Sequence, residues 1–226
     1  KINFLLGSNL TNEDYVAFRE FSKSISDSEQ TFYLNDDLLY KGQFGQNNEL
    51  AKIDDLNSSD AIVVWAEDLK EKMPVLYLRV RQAVKKGVKL IVFGHTNETL
   101  TDIADVFYGK ETVSKNFEII KDVSKLNEIK NYVVGKNITA IIGKSTPQQS
   151  DESIRELSEF LKSNSNTKIL NTYTKGNTYG AFQTLENIKG TKDFVDDISS
   201  ENTDLLFVVG ADPVGRSFYS NEIKSI

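Results

Sequence analysis

Six short runs of apolar residues alternate with segments of helical periodicity along the chain. The runs are residues 2–6, 61–65, 88–93, 138–142, 168–170 and 205–209. They are continuous rather than alternating, which is typical of strands buried on both faces of a parallel sheet. Strands that alternate with amphipathic helices form βαβ units. The pattern therefore predicts an α/β fold with two Rossmann-like lobes and mostly parallel sheets.

The first predicted helix follows the first apolar run. Tyr15, Phe18, Phe21 and Ile25 fall at spacings of three and four residues, which predicts that these side chains face the sheet. Thr11 precedes the helix and is predicted to cap its first turn through its hydroxyl group.

A second helix is predicted between the runs 61–65 and 88–93. Pro74 suits its first position, because proline has the φ angle of a helix and needs no intrahelical donor there. Gly87 is predicted to end it. The side chains predicted to turn toward the sheet are Val75, Leu78 and Ala83 or Val84.

The strand and helix pattern starts again in the second half of the chain. We therefore expect a first lobe over residues 1–110, a connector over 111–135 and a second lobe over 136–226. The second lobe is predicted to contain a helix that begins near residue 150. Residues 191–202 are polar and acidic, which predicts a surface loop there.

Composition and charge narrow the classes of function. A net charge of -6 disfavours nucleic-acid binding, which requires a basic face to displace phosphate counterions. No apolar run approaches the roughly 20 residues of a membrane span, so no direct membrane insertion is expected. The chain begins on a lysine inside a predicted strand, and we expect it to be a segment of a longer polypeptide.

Cysteine is absent from the sequence and histidine occurs once, as His95. Iron–sulfur ligation and zinc sites built from cysteine and histidine are therefore excluded within this segment. A catalytic triad with histidine would have to use His95. No catalytic residue and no metal ligand is predicted.

Polar side chains and glycines follow four of the predicted strands, at the carboxyl ends where open α/β sheets bind ligands. These residues are Ser8, Thr11, Asn12, Glu67, Asp68, His95, Thr96, Gly210 and Asp212. Each also has a structural interpretation. Thr11 suits a helix cap, Glu67 and Asp68 suit a solvated acidic helix start, and Gly210 with Asp212 suits a plain turn between strand and helix.

Several stretches, taken in order, resemble the molybdopterin oxidoreductases. They are residues 7–25, with GSNLTNEDY leading into a helix, residues 53–94, residues 99–108 with TLTDIADVFY, residues 177–181 and residues 210–213. Each motif is short, and the resemblance depends on their order over most of the chain. Within that family the pattern is most similar to the large C-terminal region found in an iron–sulfur subunit of bacterial NADH-quinone oxidoreductase, respiratory complex I.

This resemblance implies a structural, non-catalytic domain that supports electron transfer from NADH toward quinone. Iron–sulfur clusters are then expected upstream in the parent chain, and no cofactor is expected in this segment. The implied partners are the iron–sulfur domains of the same chain and other subunits of the peripheral arm. The implied location is cytoplasmic, on the inner face of the cell membrane as part of the complex.

The turn after residues 61–65 departs from the family pattern. Relatives that bind the cofactor usually carry a glycine and an asparagine here, whereas this chain has Ala66, Glu67 and Asp68. Carboxylates that face the phosphates of a dinucleotide repel them. We therefore expect no phosphate contact at this turn, and Trp65 before it is predicted to pack in the core.

The turn after residues 88–93 departs as well. Relatives usually carry a turn with an arginine that can pair with phosphate, and this chain has Gly94, His95 and Thr96. Both departures predict a vestigial site without molybdopterin. Two alternatives remain: an enzyme domain that still binds a molybdopterin or nucleotide-type cofactor, and a binding module for a small ligand.

Overall fold

The computed structural model describes residues 1–25, 30–33, 50–65, 68–93, 99–108, 123–142, 159–163, 165–173, 176–185, 188–200 and 203–215. The strands are β1 (Ile2–Leu6), β2 (Gln30–Tyr33), β3 (Ala61–Trp65), β4 (Lys89–Phe93), β5 (Val106–Tyr108), β6 (Asn137–Ile142), β7 (Asn166–Asn171) and β8 (Leu205–Val209). The helices are α1 (Asn12–Ile25), α2 (Leu69–Lys72), α3 (Pro74–Lys85), α4 (Val123–Val133), α5 (Thr178–Thr184) and α6 (Thr191–Ser199), with a 3₁₀ helix at Ile53–Asn57. Among the described helices, none is long and apolar enough to cross a membrane.

The strands form two sheets. The first has the order β2-β1-β8, and the second has the order β5-β4-β3-β6-β7. Every strand pairing within the described residues is parallel. The predicted α/β fold with mostly parallel sheets is confirmed.

The chain divides into two units, but not at the predicted boundaries of 1–110, 111–135 and 136–226. The first unit combines Lys1–Lys41 with Tyr173–Ile226, and the second unit is Gly42–Thr172. The reason is strand pairing, because β6 pairs with β3 rather than starting a new sheet, and β8 pairs with β1. A continuous apolar run signals a buried strand but does not specify its neighbour.

The core of the first unit lies between the first sheet and helices α1 and α5. Phe4 of β1 packs against Phe18 of α1, with ring centroids 5.0 Å apart, and stacks on Phe207 of β8 at 5.1 Å. Tyr15 is buried and donates a hydrogen bond from its hydroxyl to the carbonyl of Gly7 at 2.9 Å. Helix α1 is therefore attached both to the sheet and to the turn after β1.

The start of α1 confirms the predicted cap. The hydroxyl oxygen of Thr11 accepts from the backbone N–H of Asp14 at 3.2 Å, and the Asp14 carboxylate accepts from the backbone N–H of Thr11 at 2.9 Å. This reciprocal pair satisfies two donors of the first turn. Of the residues predicted to face the sheet, Phe21 and Ile25 are 47% and 39% exposed.

Helix α3 begins at Pro74 and ends before Gly87, as predicted, and Gly87 has a φ of 102°. The predicted buried face is wrong for Val75 and Leu78, which are exposed. The buried side chains are Leu76, Val80 and Ala83, which pack with Ile62 and Val64 of β3. The spacing of 76, 80 and 83 defines a full helical stripe, and it lies about one residue further round the helix than the predicted one.

The opposite face of the second sheet carries α4. The hydroxyl of Tyr108 in β5 donates to a carboxylate oxygen of Glu128 in α4 at 2.6 Å, and Ile129 and Val133 of α4 are buried. Helices therefore lie on both faces of this sheet. Of the helix predicted from residue 150, residues 159–163 are helical with Leu161 buried, and 150–158 lie outside the described residues.

The surface loop predicted for 191–202 is wrong over most of its length, because Thr191–Ser199 is helix α6. The Asp193 carboxylate accepts from the backbone N–H of Gly190 at 2.9 Å, which stabilises the first turn. Phe194 and Val195 are buried against Leu5 of β1. Two apolar residues are enough to anchor an otherwise acidic helix.

Asp105, just before β5, is expected to make stability depend on pH. Burial opposes its ionisation, but hydrogen bonds from Lys89 Nζ (2.7 Å) and the Leu90 backbone N–H (2.9 Å) dominate and lower the pKa of its carboxyl. A lowered pKa means stability that is complete above the unfolded-state pKa, about 4, and is lost as the pH falls through the folded-state pKa. We expect Asp105→Asn to lower the free energy of unfolding by about 1 kcal/mol at pH 7.

Urea unfolding of the two proteins between pH 2 and pH 7 measures this effect. The difference between them should shrink as the pH falls below about 4. Asp102→Asn is the matched control, because Asp102 pairs with Arg81 at 3.2 Å but its side chain is 59% exposed. A constant difference across the whole pH range would contradict the prediction.

Candidate functional site

Two turns meet at the carboxyl ends of β1 and β8 in the first sheet. The backbone N–H of Gly7 donates to the carbonyl of Val209 at 2.9 Å. A Cβ atom on Gly7 would overlap the carbonyl oxygen of Gly210 and would lie 2.9 Å from the backbone nitrogen of Ala211. Gly7 is therefore required for direct contact between two backbones.

Gly210 contributes the other half of this contact. Its φ of 60° is in the left-handed region that favours glycine, and a Cβ there would lie 2.7 Å from Cδ2 of Leu10. The space beside each glycine is thus filled by atoms of the protein itself. In a turn that binds phosphate, that space is open to the ligand.

Asn177, at the start of α5, holds the turn that follows β1. Its side-chain amide donates to the carbonyl of Leu10 at 2.8 Å and to Oδ1 of Asn12 at 3.0 Å. Its backbone N–H donates to the carbonyl of Ser8 at 3.3 Å. A Cβ on Gly180 would overlap the side-chain oxygens of both asparagines, so α5 approaches the turn closely.

The five candidate residues of the first unit lie in or beside these two turns. Ser8 is 7% exposed, Thr11 caps α1, and Asn12 accepts a hydrogen bond from Asn177. The Asp212 carboxylate is exposed and accepts from the backbone N–H of Gly215 at 2.8 Å, which closes a turn over 212–215. The structure therefore brings these residues together, and their described hydrogen bonds are internal ones.

In the second unit, Asp68 is the described candidate. Its side chain caps α2 by accepting from the backbone N–H of Glu71 at 3.2 Å, and the residue is 5% exposed. Asp68 thus lies in the protein interior at the carboxyl end of β3. Glu67, His95 and Thr96 lie outside the described residues.

A row of aromatic side chains crosses the carboxyl end of the second sheet. Trp65 of β3 pairs in register with Phe93 of β4, and Phe93 pairs with Tyr108 of β5. Their ring centroids are 4.8 Å and 5.5 Å apart. Trp65 is fully buried, which confirms its predicted place in the core, and its indole N–H has no hydrogen-bond acceptor among the described residues.

A phosphate-bearing ligand can be tested against these residues. It requires open backbone N–H groups or cationic side chains, and a buried carboxylate repels it. At the described carboxyl ends, Gly7 and Gly210 face protein atoms and Asp68 contributes a buried carboxylate. These residues do not fit such a group.

Sequence analysis identified the turn after β8 but not the two residues that shape the site most. Gly7 ends the first apolar run, and a glycine directly after a strand is a signal for close backbone approach. Asn177 gives no comparable signal, because its partners lie more than 160 residues away in the chain.

Comparison with known protein families gives one match that spans nearly the whole chain. The family model described as molybdopterin oxidoreductase matches residues 1–217. The matched range includes all eight strands and all six helices described above.

Proposed function

The chain belongs to the molybdopterin oxidoreductase family, and from that premise we propose that it is a structural, non-catalytic domain of an iron–sulfur subunit of NADH-quinone oxidoreductase. Family membership supports an oxidoreductase-type function. The assignment to respiratory complex I rests on the ordered resemblance of five stretches of the sequence.

One observation carries the non-catalytic part of the proposal. The turns after β1 and β8 lie at the point where the strand order of the first sheet changes direction, which is where open α/β sheets bind ligands. Gly7 and Gly210 bring these turns into backbone contact instead of leaving a space between them. A domain that has filled this position with its own backbone is suited to support rather than to cofactor binding.

Asp68 supports the same conclusion from the second sheet. Its carboxylate is 5% exposed and accepts a backbone hydrogen bond, and this favours its charged form. A phosphate nearby would add a like charge in a region that excludes water, where repulsion is strongest. Asp68 therefore stabilises the start of α2 and disfavours an anionic cofactor.

In this proposal, electrons pass from NADH toward quinone through the iron–sulfur domains of the parent chain. The α/β domain positions that chain among the subunits of the peripheral arm, on the inner face of the cell membrane. Its own residues bind no redox group and transfer no proton. The competing hypothesis is an enzyme domain that still binds a molybdopterin or nucleotide-type cofactor.

Ligand titration separates the two hypotheses. We expect no change in the melting temperature of the 226-residue protein with 1 mM GMP or molybdopterin guanine dinucleotide. A site with a Kd of about 10 µM would add about 2.7 kcal/mol at that concentration. That stabilisation would raise the melting temperature by roughly 5–10 °C. Stabilisation that disappears in His95→Ala or Asp212→Ala would favour the cofactor-binding enzyme.

The assignment to the respiratory complex needs a second measurement, on the full-length parent chain. After anaerobic purification and reduction, that chain should give electron paramagnetic resonance signals of iron–sulfur clusters and should co-elute with the NADH-oxidising subunit. The 226-residue segment alone should not oxidise NADH with an artificial acceptor. A parent chain without cluster-binding cysteines would contradict this assignment, whatever the titration shows.

A further inference from the structure

The outer face of helix α3 exposes two large apolar side chains. Val75 is 67% exposed and Leu78 is 62% exposed, more than any other large apolar side chain in the described residues. They lie three residues apart and therefore on the same side of the helix. The side packed on the sheet is formed by Leu76, Val80 and Ala83, so α3 is already anchored without Val75 and Leu78.

The same helix is cationic in an acidic protein. Over its twelve residues α3 contains no aspartate or glutamate, whereas the whole chain has a net charge of -6. Arg79 and Lys85 are exposed and form no ion pair with any described residue. Arg81 is not counted, because it pairs with Asp102 at 3.2 Å.

Position along the helix joins the two properties into one surface. Residues 75, 78, 79, 82, 85 and 86 follow one another at helical spacing, so an apolar end continues into a basic end. Lys86 lies at the basic end, and its ammonium group donates to the neutral amide oxygen of Asn57 at 3.0 Å, which leaves its charge uncompensated. We call this surface the outer face of α3.

We propose that the outer face of α3 is a docking surface for an acidic segment of a partner protein. The partner presents apolar side chains to Val75 and Leu78 and carboxylates to Arg79 and Lys85. Exposed apolar side chains that adjoin unpaired cations match a partner of that composition in both properties, through burial of apolar area and through charge complementarity. The inference concerns the contact made by this domain and holds for any parent assembly.

A membrane surface fits this face less well than a protein does. Helices that lie in a bilayer interface bury a wide apolar face to a depth of roughly 5–10 Å. In α3 the wide apolar face is occupied by the sheet, and Val75 and Leu78 form only a narrow apolar strip. A narrow apolar strip next to cations is matched by another side-chain surface.

Zero-length cross-linking tests the proposal, because a carbodiimide joins lysine amines directly to carboxylates in contact with them. The tagged full-length chain is cross-linked in extracts of its own cells and digested for mass spectrometry. We expect Lys85 or Lys86 to be linked to aspartate or glutamate of another protein. The neutral double variant V75T/L78Q should lower the yield of that link at least tenfold, which corresponds to about 1.4 kcal/mol of binding.

Two further variants separate a docking surface from a general effect. Arg79→Gln should also weaken the link and should make it less sensitive to salt. Val134→Thr, which changes a valine that is 54% exposed elsewhere in the second unit, should leave it unchanged. All three variants should melt within about 2 °C of the parent protein, because surface substitutions have small effects on stability.

The possible outcomes are distinct. Lysine links only to carboxylates of the same chain, or a link that V75T/L78Q leaves intact, would overturn the proposal. Sedimentation with phosphatidylglycerol vesicles that is lost in V75T/L78Q would overturn it in favour of a membrane. A linked partner from outside the respiratory complex would refute the proposed function and leave the docking surface standing.

Discussion

Gly7→Ala is expected to destabilise the first unit more than any other single added methyl group. The new Cβ would overlap the carbonyl oxygen of Gly210 and lie 2.9 Å from the backbone nitrogen of Ala211. These are backbone atoms fixed by the pairing of β1 with β8, so no side chain can rotate away to make room. Overpacking of this kind costs roughly 3 kcal/mol or more. The melting temperature should fall by about 6 °C or more.

Gly176→Ala provides the matched control. It adds the same methyl group in the same unit, and a Cβ at Gly176 would meet no atom within 4 Å. Its expected effect is within about 0.5 kcal/mol, as for other exposed sites. Chemical unfolding of both variants measures the difference. Equal stability of Gly7→Ala and Gly176→Ala would mean that the turns after β1 and β8 do not touch as described.

Trp65→Ala is the second large effect, and it acts on the other unit. Trp65 is fully buried and packs on Phe93 with ring centroids 4.8 Å apart. Removing the indole leaves a cavity at the carboxyl end of β3, and such substitutions cost roughly 3–5 kcal/mol. Urea unfolding followed by circular dichroism measures the loss without relying on tryptophan fluorescence.

Trp65→Phe tells packing apart from hydrogen bonding. The indole N–H of Trp65 has no acceptor in the described part of the chain, so phenylalanine loses no hydrogen bond and removes an unsatisfied buried donor. We expect a loss of about 1–2 kcal/mol from the smaller ring, well below that of Trp65→Ala. Equal losses in the two variants would show that the N–H group matters and that an acceptor reaches it.

Local signals in the sequence predicted most of the elements correctly. The cap at Thr11, the helix start at Pro74 and the stop at Gly87 each depend on residues within one turn of the feature. Strands β2 and β5 were missed because they are short and lack a long apolar run. Their stability comes from pairing with β1 and β4, which no local pattern records.

The division into units and the form of the site depend on contacts between distant residues. Nothing in the run 138–142 indicates that β6 joins β3, and nothing near Asn177 indicates that its amide reaches Leu10. The turns after β1 and β8 were recognised as candidate ligand sites from their position alone. Their contact through Gly7 and Gly210 appears only when the two strands lie side by side.

The first unit is built from two pieces of chain, with the whole second unit inserted between them. On the ribosome, β1 therefore leaves the exit tunnel long before β8, its neighbour in the sheet. At 5–20 residues per second the delay is roughly 10–40 s, since β8 follows about 200 residues later. The inserted unit can complete its own sheet in that interval, whereas the edge of β1 that will pair with β8 stays open. Chaperone demand during synthesis should thus fall on β1, the first of the eight described strands to be made and one of the last to be fully paired.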